Sequence, residues 1–415
     1  MHILVISIYY RPEPVPKPFE LAEGLVRRGH RVTVLTGFPS YPAGKLYVGY
    51  RLRPWQTESI HGVRVVRLPM YPDHSARAAA RLAHTGTFFL SLLLLGPFLC
   101  GKVDAVYVWG NPPTSGLAGW IIARLRRAPL IYGVHDLWPE LVLESGVLRK
   151  SLAIWLIDAL ERFVLRHADF VLPISQGFAR NVIGKGVPSE KVAVLPHWAD
   201  EGVFHPAARD DALARRLGVD GGFVVLYAGN IGRLQGLDEL IQAAASLREE
   251  LPHLRVLLVG DGVEKRRLQA EVAARKLDNV LFADRRPQEE IPAIAAVADA
   301  LYVGLVAGAL AGLSVPSKVP AYLACGRPIL SNVPGETAEL IERHQIGITC
   351  QSASAEGIAG GVRLMAGLDE LQRRAMGERA RRLFLGNFAI APLLEQHEAV
   401  FNSTLVAYRS RGNPP

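Results

Sequence analysis

The sequence predicts an α/β protein built from two doubly wound, parallel-sheet domains. Three observations predict it. At 415 residues the chain exceeds one compact core, and two domains of roughly 200 residues each are the default. The opening stretch to Thr36 spells strand, loop, helix and strand, a βαβ unit. The same alternation restarts at Phe223, after a polar and Pro-containing connection at 196–222 that also holds one short helix.

Taken in order, 3–9 is an apolar strand, and a Pro-rich loop follows at 11–18. A helix then carries Phe19, Ala22, Leu25 and Val26 on one face, and Gly29 closes it before the strand 31–36. A further strand is expected at 63–68. The segment 76–101 contains arginines at first and then turns apolar, TFFLSLLLLGPFLC, with Pro97 marking a break or kink near its end. Its uncharged run, 87–100, is shorter than the ~20 residues a bilayer span needs. Two readings stay open for it. It is a buried core helix, or it lies at a membrane surface with Arg77, Arg81 and His84 near the head groups and Phe88, Leu92 and Leu95 in the apolar layer.

Strands follow at 103–108 and 129–134, with a loop at 109–114 and a helix at 116–125 between them. The second strand runs into His135, Asp136, Leu137, Trp138, Pro139 and Glu140, and open α/β sheets bind ligands at such strand ends. An amphipathic helix at 151–166, a strand at 170–173, a helix capped by Ser175 and a short strand at 192–195 complete the first half.

The second half reads strand 224–228, helix 237–251, strand 254–259, helix 264–277, strand 280–282, helix 288–298 and strand 300–303. A helix at 317–324, a strand at 328–331 and a helix at 336–343 follow, and the tail from 371 to about 408 is mostly helical.

Chemistry concentrates in loops of this second half. VVLYAGNIGRLQGLDELIQAA (224–244) carries a strand through Gly229, Asn230 and Gly232 to Arg233 and then into a helix. Glycines let a phosphate approach the backbone, a helix N-terminus favours the anion, and Arg233 can fork onto it. The alternative is an ordinary strand-to-helix turn with a solvated arginine. The loop is neither GxGxxG nor a Walker P-loop. Gly260, Asp261 and Gly262 end the next strand, and Val315-Pro316-Ser317-Lys318 puts a lysine at a helix start behind a serine able to cap. In the first half, His135 beside Asp136 is either a satisfied structural histidine or a group acting at the site. There is no Asp-x-Asp diphosphate-metal motif and no Gly-x-Ser-x-Gly elbow.

The net charge of +8 and pI near 9.5 suit an anionic partner: a nucleotide phosphate, a lipid head group or nucleic acid. No zinc-finger spacing or interleaving of basic and aromatic residues supports nucleic acid. Three scattered cysteines, Cys100, Cys325 and Cys350, form no disulfide or zinc pattern. With Met1-His2 leading straight into a strand, the expectation is a cytoplasmic protein without a signal peptide.

Together, HILVISIYYRPEP…LVRRGHRVTVLTGFPSYP, VHDLWPE (134–140), YAGNIGRLQGLDELI, VGDGVEK (259–265) and VPSKVPAYLACGRPIL followed by GETAELI resemble a family 4 glycosyltransferase of the GT-B fold. The likeness covers nearly the whole chain and is nearest to the bacterial surface-polysaccharide branch, including L-fucosamine transferases. It implies two Rossmann-like domains facing a cleft: an acceptor-side domain at 1–200, a nucleotide-sugar domain at 201–393, and a C-terminal helix at 394–415 packing back on the first.

The resemblance further implies transfer with retention from a nucleotide-sugar, a UDP-sugar being expected, to a lipid-linked or glycan acceptor at the inner membrane face, without a metal or other cofactor. Arg233 matches the family's cationic loop position and His135 the position near the transferred sugar. Lys318 is a candidate second cation from its helix start; Gly229, Asn230, Gly260, Asp261, Gly262 and Ser317 join the donor set, Asp136 the catalytic pair, and Trp138 and Glu140 the acceptor side. Two departures stand out. The family's Glu-x(7)-Glu pair falls on Leu313 and Ala321, and the lysine that commonly precedes the loop glycine is Gln235 before Gly236. Two other functions share the architecture: a sugar-nucleotide epimerase and a non-catalytic glycan-assembly partner.

Overall fold

The computed structural model describes residues 1–74, 77–110, 112–140, 143, 152–308 and 310–412. The expected segment starts at Ala76 and Ser151, and the loop residue Asn111, lie outside them. The chain divides into two compact units, Met1–Leu195 with Leu394–Pro415, and Pro196–Leu393. The division falls at 195 rather than 200 because Ala199 belongs to the second core: its N–H donates to Phe388 O at 3.0 Å, and it pairs with Ala389.

In the first unit, β1 (His2–Ile6), β2 (Arg31–Gly37), β3 (Gln56–Ile60), β4 (Val63–Leu68), β5 (Ala105–Trp109), β6 (Leu130–Val134) and β7 (Phe170–Pro173) form one sheet in the order β3-β4-β2-β1-β5-β6-β7. All pairs are parallel except β3 with β4. The central strands are apolar runs buried along their length, as a sheet covered on both faces requires. Helix α1 (Pro16–Arg27) starts with proline in its first turn, where a missing N–H costs nothing. Helices α2 (Ala78–Leu99), α3 (Pro113–Arg126), α4 (Leu152–His167) and α5 (Gln176–Gly184) follow. Ser175 caps α5 by accepting the Phe178 N–H at 3.0 Å.

Helix α2 outruns its uncharged core. It spans 22 residues with Pro97 inside, and by length and composition it is able to cross a membrane. Phe88 and Leu92 are nevertheless buried, at 1% and 0% exposure, and His84 is buried as well. These three therefore belong to the unit's interior and not to a membrane-facing stripe. The large apolar side chains exposed on α2, among the described residues, are Leu82, Leu90, Leu94 and Phe98.

The second unit holds β8 (Phe223–Ala228), β9 (Leu254–Val259), β10 (Val280–Ala283), β11 (Ala300–Val303), β12 (Ile329–Ser331) and β13 (Gly347–Thr349), all parallel, in the order β10-β9-β8-β11-β12-β13. Its helices are α6 (Asp211–Leu217), α7 (Leu237–Ser246), α8 (Lys265–Ala274), α9 (Ile291–Ala296), α10 (Val319–Ala324), α11 (Glu336–His344), α12 (Ala355–Ala366) and α13 (Glu370–Asn387). Helix α14 (Ile390–Ser410) contributes its residues from Leu394 onward to the first unit.

Some elements differ from the sequence expectation for local reasons. The segment 192–195 makes only one bridge, Val171 to Val192, and Pro196 has no N–H to continue the ladder. Strand β3 alternates half-buried and exposed residues at the sheet edge, and β13 is three residues long, so neither shows an apolar run.

Candidate functional site

Strand order reverses between β8 and β11 in the second unit, and ligands of open α/β sheets bind outside the C-terminal ends of such strands. The loops leaving β8 and β9 are joined there. Gly229 N–H donates to Val259 O at 2.9 Å, Ile231 N–H to Asp261 O at 2.8 Å, and Glu264 N–H to Ile231 O at 3.1 Å. A Cβ on Gly260 would lie 1.9 Å from Gly229 O, and one on Gly262 would lie 2.3 Å from Ile231 O. These glycines are thus required for one loop to lie against the other. Asp261 closes its own turn, its carboxylate accepting from Gly262 N–H at 2.8 Å.

Gly229 and Asn230 are exposed at the tip of the β8 loop. Arg233 opens a short 3-10 turn, and Gly236, at φ +60°, lets the chain enter α7. The Arg233 side chain is 83% exposed, and its Nε donates to Glu264 Oε1 at 3.0 Å. Glu264 is shared with Arg267, and Arg267 first and Arg233 second hold its carboxyl below the usual range.

Lys318 is half-buried and occupies the cap position of α10. Its Nζ donates to Gln235 Oε1 at 2.5 Å and to Tyr227 Oη at 3.2 Å, and it lies 4.3 Å from the Tyr227 ring centre. Tyr227 Oη donates in turn to Asn230 O at 2.6 Å. Gln235 and Tyr227 are neutral partners for the ammonium, and burial pulls its pKa down to about 7. A cation so placed gains from an arriving anion, which would restore its charge. Gln235, which stands where the family commonly has lysine, thus receives a cation from another loop.

The expected cap does not form. Ser317 is exposed, no side chain caps α10, and the helix is only six residues long. Charge at this loop therefore comes from Lys318 itself and not from a helix terminus. Ala321 packs as an apolar side chain against the second unit's core. Beside it, Tyr322 Oη accepts from Ala228 N–H at 2.7 Å and donates to Ala228 O at 3.0 Å, tying α10 to the end of β8.

In the first unit, His135 leaves β6 with its ring stacked on Trp109, centroids 3.5 Å apart and planes within 7°. His135 Nε2 lies 3.3 Å from Tyr107 Oη. Gly133 makes room for this pair, since a Cβ there would be 2.4 Å from Tyr107 Oη and 2.8 Å from His135 Nε2. Asp136 and Trp138 are half-buried beside it.

The rest of this loop is held by a buried ion pair. Lys185 Nζ reaches Glu161 Oε2 at 2.5 Å, Glu140 at 3.0 Å and Trp138 O at 2.6 Å, and Glu161 Oε1 accepts the Trp138 N–H at 3.1 Å. Asn181 also donates to Glu140 at 3.0 Å. The Glu140 carboxylate therefore orders the loop. Burial raises the Glu161 pKa to about 7, against the opposing pull of Lys185. Nothing local in the sequence marks Glu161, Lys185 or Tyr227: a charge within a helix and a tyrosine within a strand carry no sign of the site they support.

Two units of this strand order define the GT-B fold, and solved structures agree. Anabaena HepE in complex with UDP-glucose superposes at TM-score 0.72 and 19% identity, covering 97% of this chain and 100% of that one. Sucrose-phosphate synthase from Thermosynechococcus elongatus superposes at TM-score 0.75 and 19% identity, covering 98% and 99%. In sequence, residues 19–198 match the profile described as "Glycosyl transferase 4-like domain" and residues 210–383 match "Glycosyl transferases group 1". WcaI of Escherichia coli (strain K12), a glycosyl transferase assigned to colanic acid biosynthesis, is 32% identical over 381 residues, spanning 88% of this chain and 91% of that protein. The chain belongs to the family 4 glycosyltransferases of the GT-B fold.

Proposed function

We propose that the second unit binds the diphosphate of a nucleotide-sugar, a UDP-sugar in particular, and that its hexosyl or N-acetylaminosugar group passes with retention to a glycan or lipid-linked acceptor of surface-polysaccharide synthesis. The observation that carries this is the Lys318 ammonium, held by neutral partners at the strand-order reversal of the sheet. Arg233 supplies a second, exposed cation on the adjoining loop. UDP-glucose in HepE supports the donor class, and the assignment of WcaI supports the pathway. On this reading Lys318 and Arg233 neutralise the leaving diphosphate without a divalent ion, so chelation leaves turnover unchanged. His135 hydrogen-bonds the transferred sugar as charge develops on it.

Membrane contact at the inner face belongs to the same reading. Leu90, Leu94 and Phe98 lie at four-residue spacing on the exposed side of α2, and Arg77 and Arg81 are exposed near its start. Serine at all three apolar positions should release the protein from phosphatidylglycerol vesicles without lowering its melting temperature. Retained binding would remove membrane contact from the proposal.

Thermal stabilisation by a panel of UDP-, GDP- and dTDP-sugars tests the donor assignment, since a ligand of the native state raises its apparent stability. A UDP-sugar should give the largest shift and release UDP slowly. If no nucleotide-sugar shifts the transition, the donor reading fails.

A further inference from the structure

A different cluster occupies the strand ends of the first unit. β1, β2 and β4 are neighbours in the sheet, and beyond their C-terminal ends they deliver Tyr9, then Ser40 with Tyr41, then His74; His84 joins from the second turn of α2. Ring centroids of Tyr9 and Tyr41 are 5.0 Å apart, and His74 lies 5.7 Å from Tyr9 and 5.3 Å from Tyr41. His84 lies 4.6 Å from His74.

The polar atoms of this cluster are oriented. His84 Nδ1 donates to Tyr71 O at 2.7 Å, because a carbonyl can only accept. Its Nε2 is then the acceptor for Tyr9 Oη, at 3.4 Å. His74 Nε2 lies 3.3 Å from Ser40 Oγ. Beneath them the buried Glu13 carboxylate accepts N–H groups from Tyr10 at 3.1 Å and from Ser40 and Tyr41 at 2.9 Å each, which fastens the β1 loop to the β2 loop. Tyr9, Tyr41 and His74 remain half-buried and so reachable.

Burial, reinforced by His84, brings His74 down to about 4, and burial lowers His84 too. Both imidazoles are therefore neutral at physiological pH. The cluster offers aromatic faces with uncharged donors and acceptors, and none of its four side chains is a cation for a phosphate. Among the described residues no group of three or more metal-ligating side chains occurs. An apolar ring face edged by hydroxyl-matching groups suits a pyranose, whose C–H face packs on an aromatic ring while its hydroxyls take hydrogen bonds.

We infer that Tyr9, Tyr41, His74 and His84 form a binding subsite for a neutral pyranose of the acceptor glycan. The inference rests on the sugar-transfer reading above and adds to it the site and charge class of the acceptor's sugar. Tyr41 and Tyr9 supply the stacking faces and His74 a hydrogen bond, while the buried His84 positions Tyr9 and Glu13 positions the two loops.

The test uses the full-length protein with ¹⁵N-labelled histidine and four probes: the methyl glycosides of glucose, galactose, L-fucose and N-acetylglucosamine. At least one should move the His74 and His84 imidazole signals saturably. Tyr41→Ala should abolish that shift and Tyr41→Phe should keep it, with UDP-induced thermal stabilisation unchanged in both. If none of the four moves either signal, or if the shift survives Tyr41→Ala at the same affinity, the subsite is overturned. Wild-type protein that answers to a glycoside but to no nucleotide would instead fail the donor reading alone.

Discussion

The two units share a strand order and differ in what they place at their strand ends. Without its antiparallel edge strand, the first sheet runs β4-β2-β1-β5-β6-β7, which repeats the connectivity of β10-β9-β8-β11-β12-β13 in the second. In the second unit the loops are closed by glycines and the site is cationic, with Lys318 and Arg233 over a tip formed by Gly229 and Asn230. In the first unit the loops are held by buried carboxylates, Glu13 and Glu161, and the reachable side chains of the Tyr9 cluster, Tyr9, Tyr41 and His74, are aromatic. On the proposed readings, backbone architecture sets where a ligand sits, and loop side chains decide whether it is an anion or a hydroxylated ring.

The largest effect is expected at the buried support of the first unit. Lys185→Ala would leave Glu161 and Glu140 without their shared cation, and breaking a buried pair in this way costs about 3–5 kcal/mol. Chemical denaturation should show that loss in the first unit's transition. A change under about 1 kcal/mol, the size of an exposed pair, would mean that the network does not hold the loop.

His135→Ala is next. Turnover should fall by ~100-fold, as for loss of one preorganised donor, while UDP affinity stays near wild type. Normal turnover in a folded variant would remove His135 from the chemistry. Joint loss of stability and turnover would assign it to packing on Trp109 and Tyr107.

Gly260→Ala sharpens the contrast in loop support, because the added Cβ would meet Gly229 O in the second unit. Overpacking of this kind costs about 1–3 kcal/mol. UDP affinity should drop with it, measured by calorimetry. Arg233→Ala has the smallest expected effect on donor affinity, about 1.5 kcal/mol, the low end for a hydrogen bond to a charged group, because the side chain is exposed and shared with Glu264.

The pH dependence follows from Lys318. Its pKa of about 7 in the folded protein lies below the ordinary lysine value. An unfolded lysine titrates near about 10.4, so the unfolded chain binds more protons between roughly pH 7 and 10. The cost of burying this ammonium is therefore fully present below pH 7 and is relieved as pH rises toward 10. Diphosphate binding has the opposite need, since it favours the charged form. UDP affinity should weaken as pH rises above 7, a window clear of the phosphate's own titration near about 6. Lys318→Met should flatten that profile.

Much of the architecture was legible because buried parallel strands are written as apolar runs: 63–68, 170–173, 254–259 and 300–303 coincide with β4, β7, β9 and β11. Edge elements such as β3 and β13 were not, since β3 alternates half-buried and exposed residues and β13 is only three residues long. Of the candidate site, the loops holding Arg233, Lys318 and His135 stood out through glycine, charge and strand-end position. Their partners did not. Gln235 and Tyr227 meet Lys318 only across sequence separations of 83 and 91 residues, and Tyr9, Tyr41, His74 and His84 converge only once β1, β2 and β4 are side by side.

On the proposed reading, the Lys318 ammonium, presented through Gln235, makes the second unit a diphosphate site. Calorimetric titration of UDP into wild type, Lys318→Gln and the swapped double variant Gln235→Lys/Lys318→Gln tests it most directly. Wild type should bind tightly and Lys318→Gln roughly 100-fold more weakly, about 3 kcal/mol for a lost charged hydrogen bond. Affinity should recover in the double variant, where the cation returns to the same loop from position 235. Wild-type affinity in Lys318→Gln would contradict that reading.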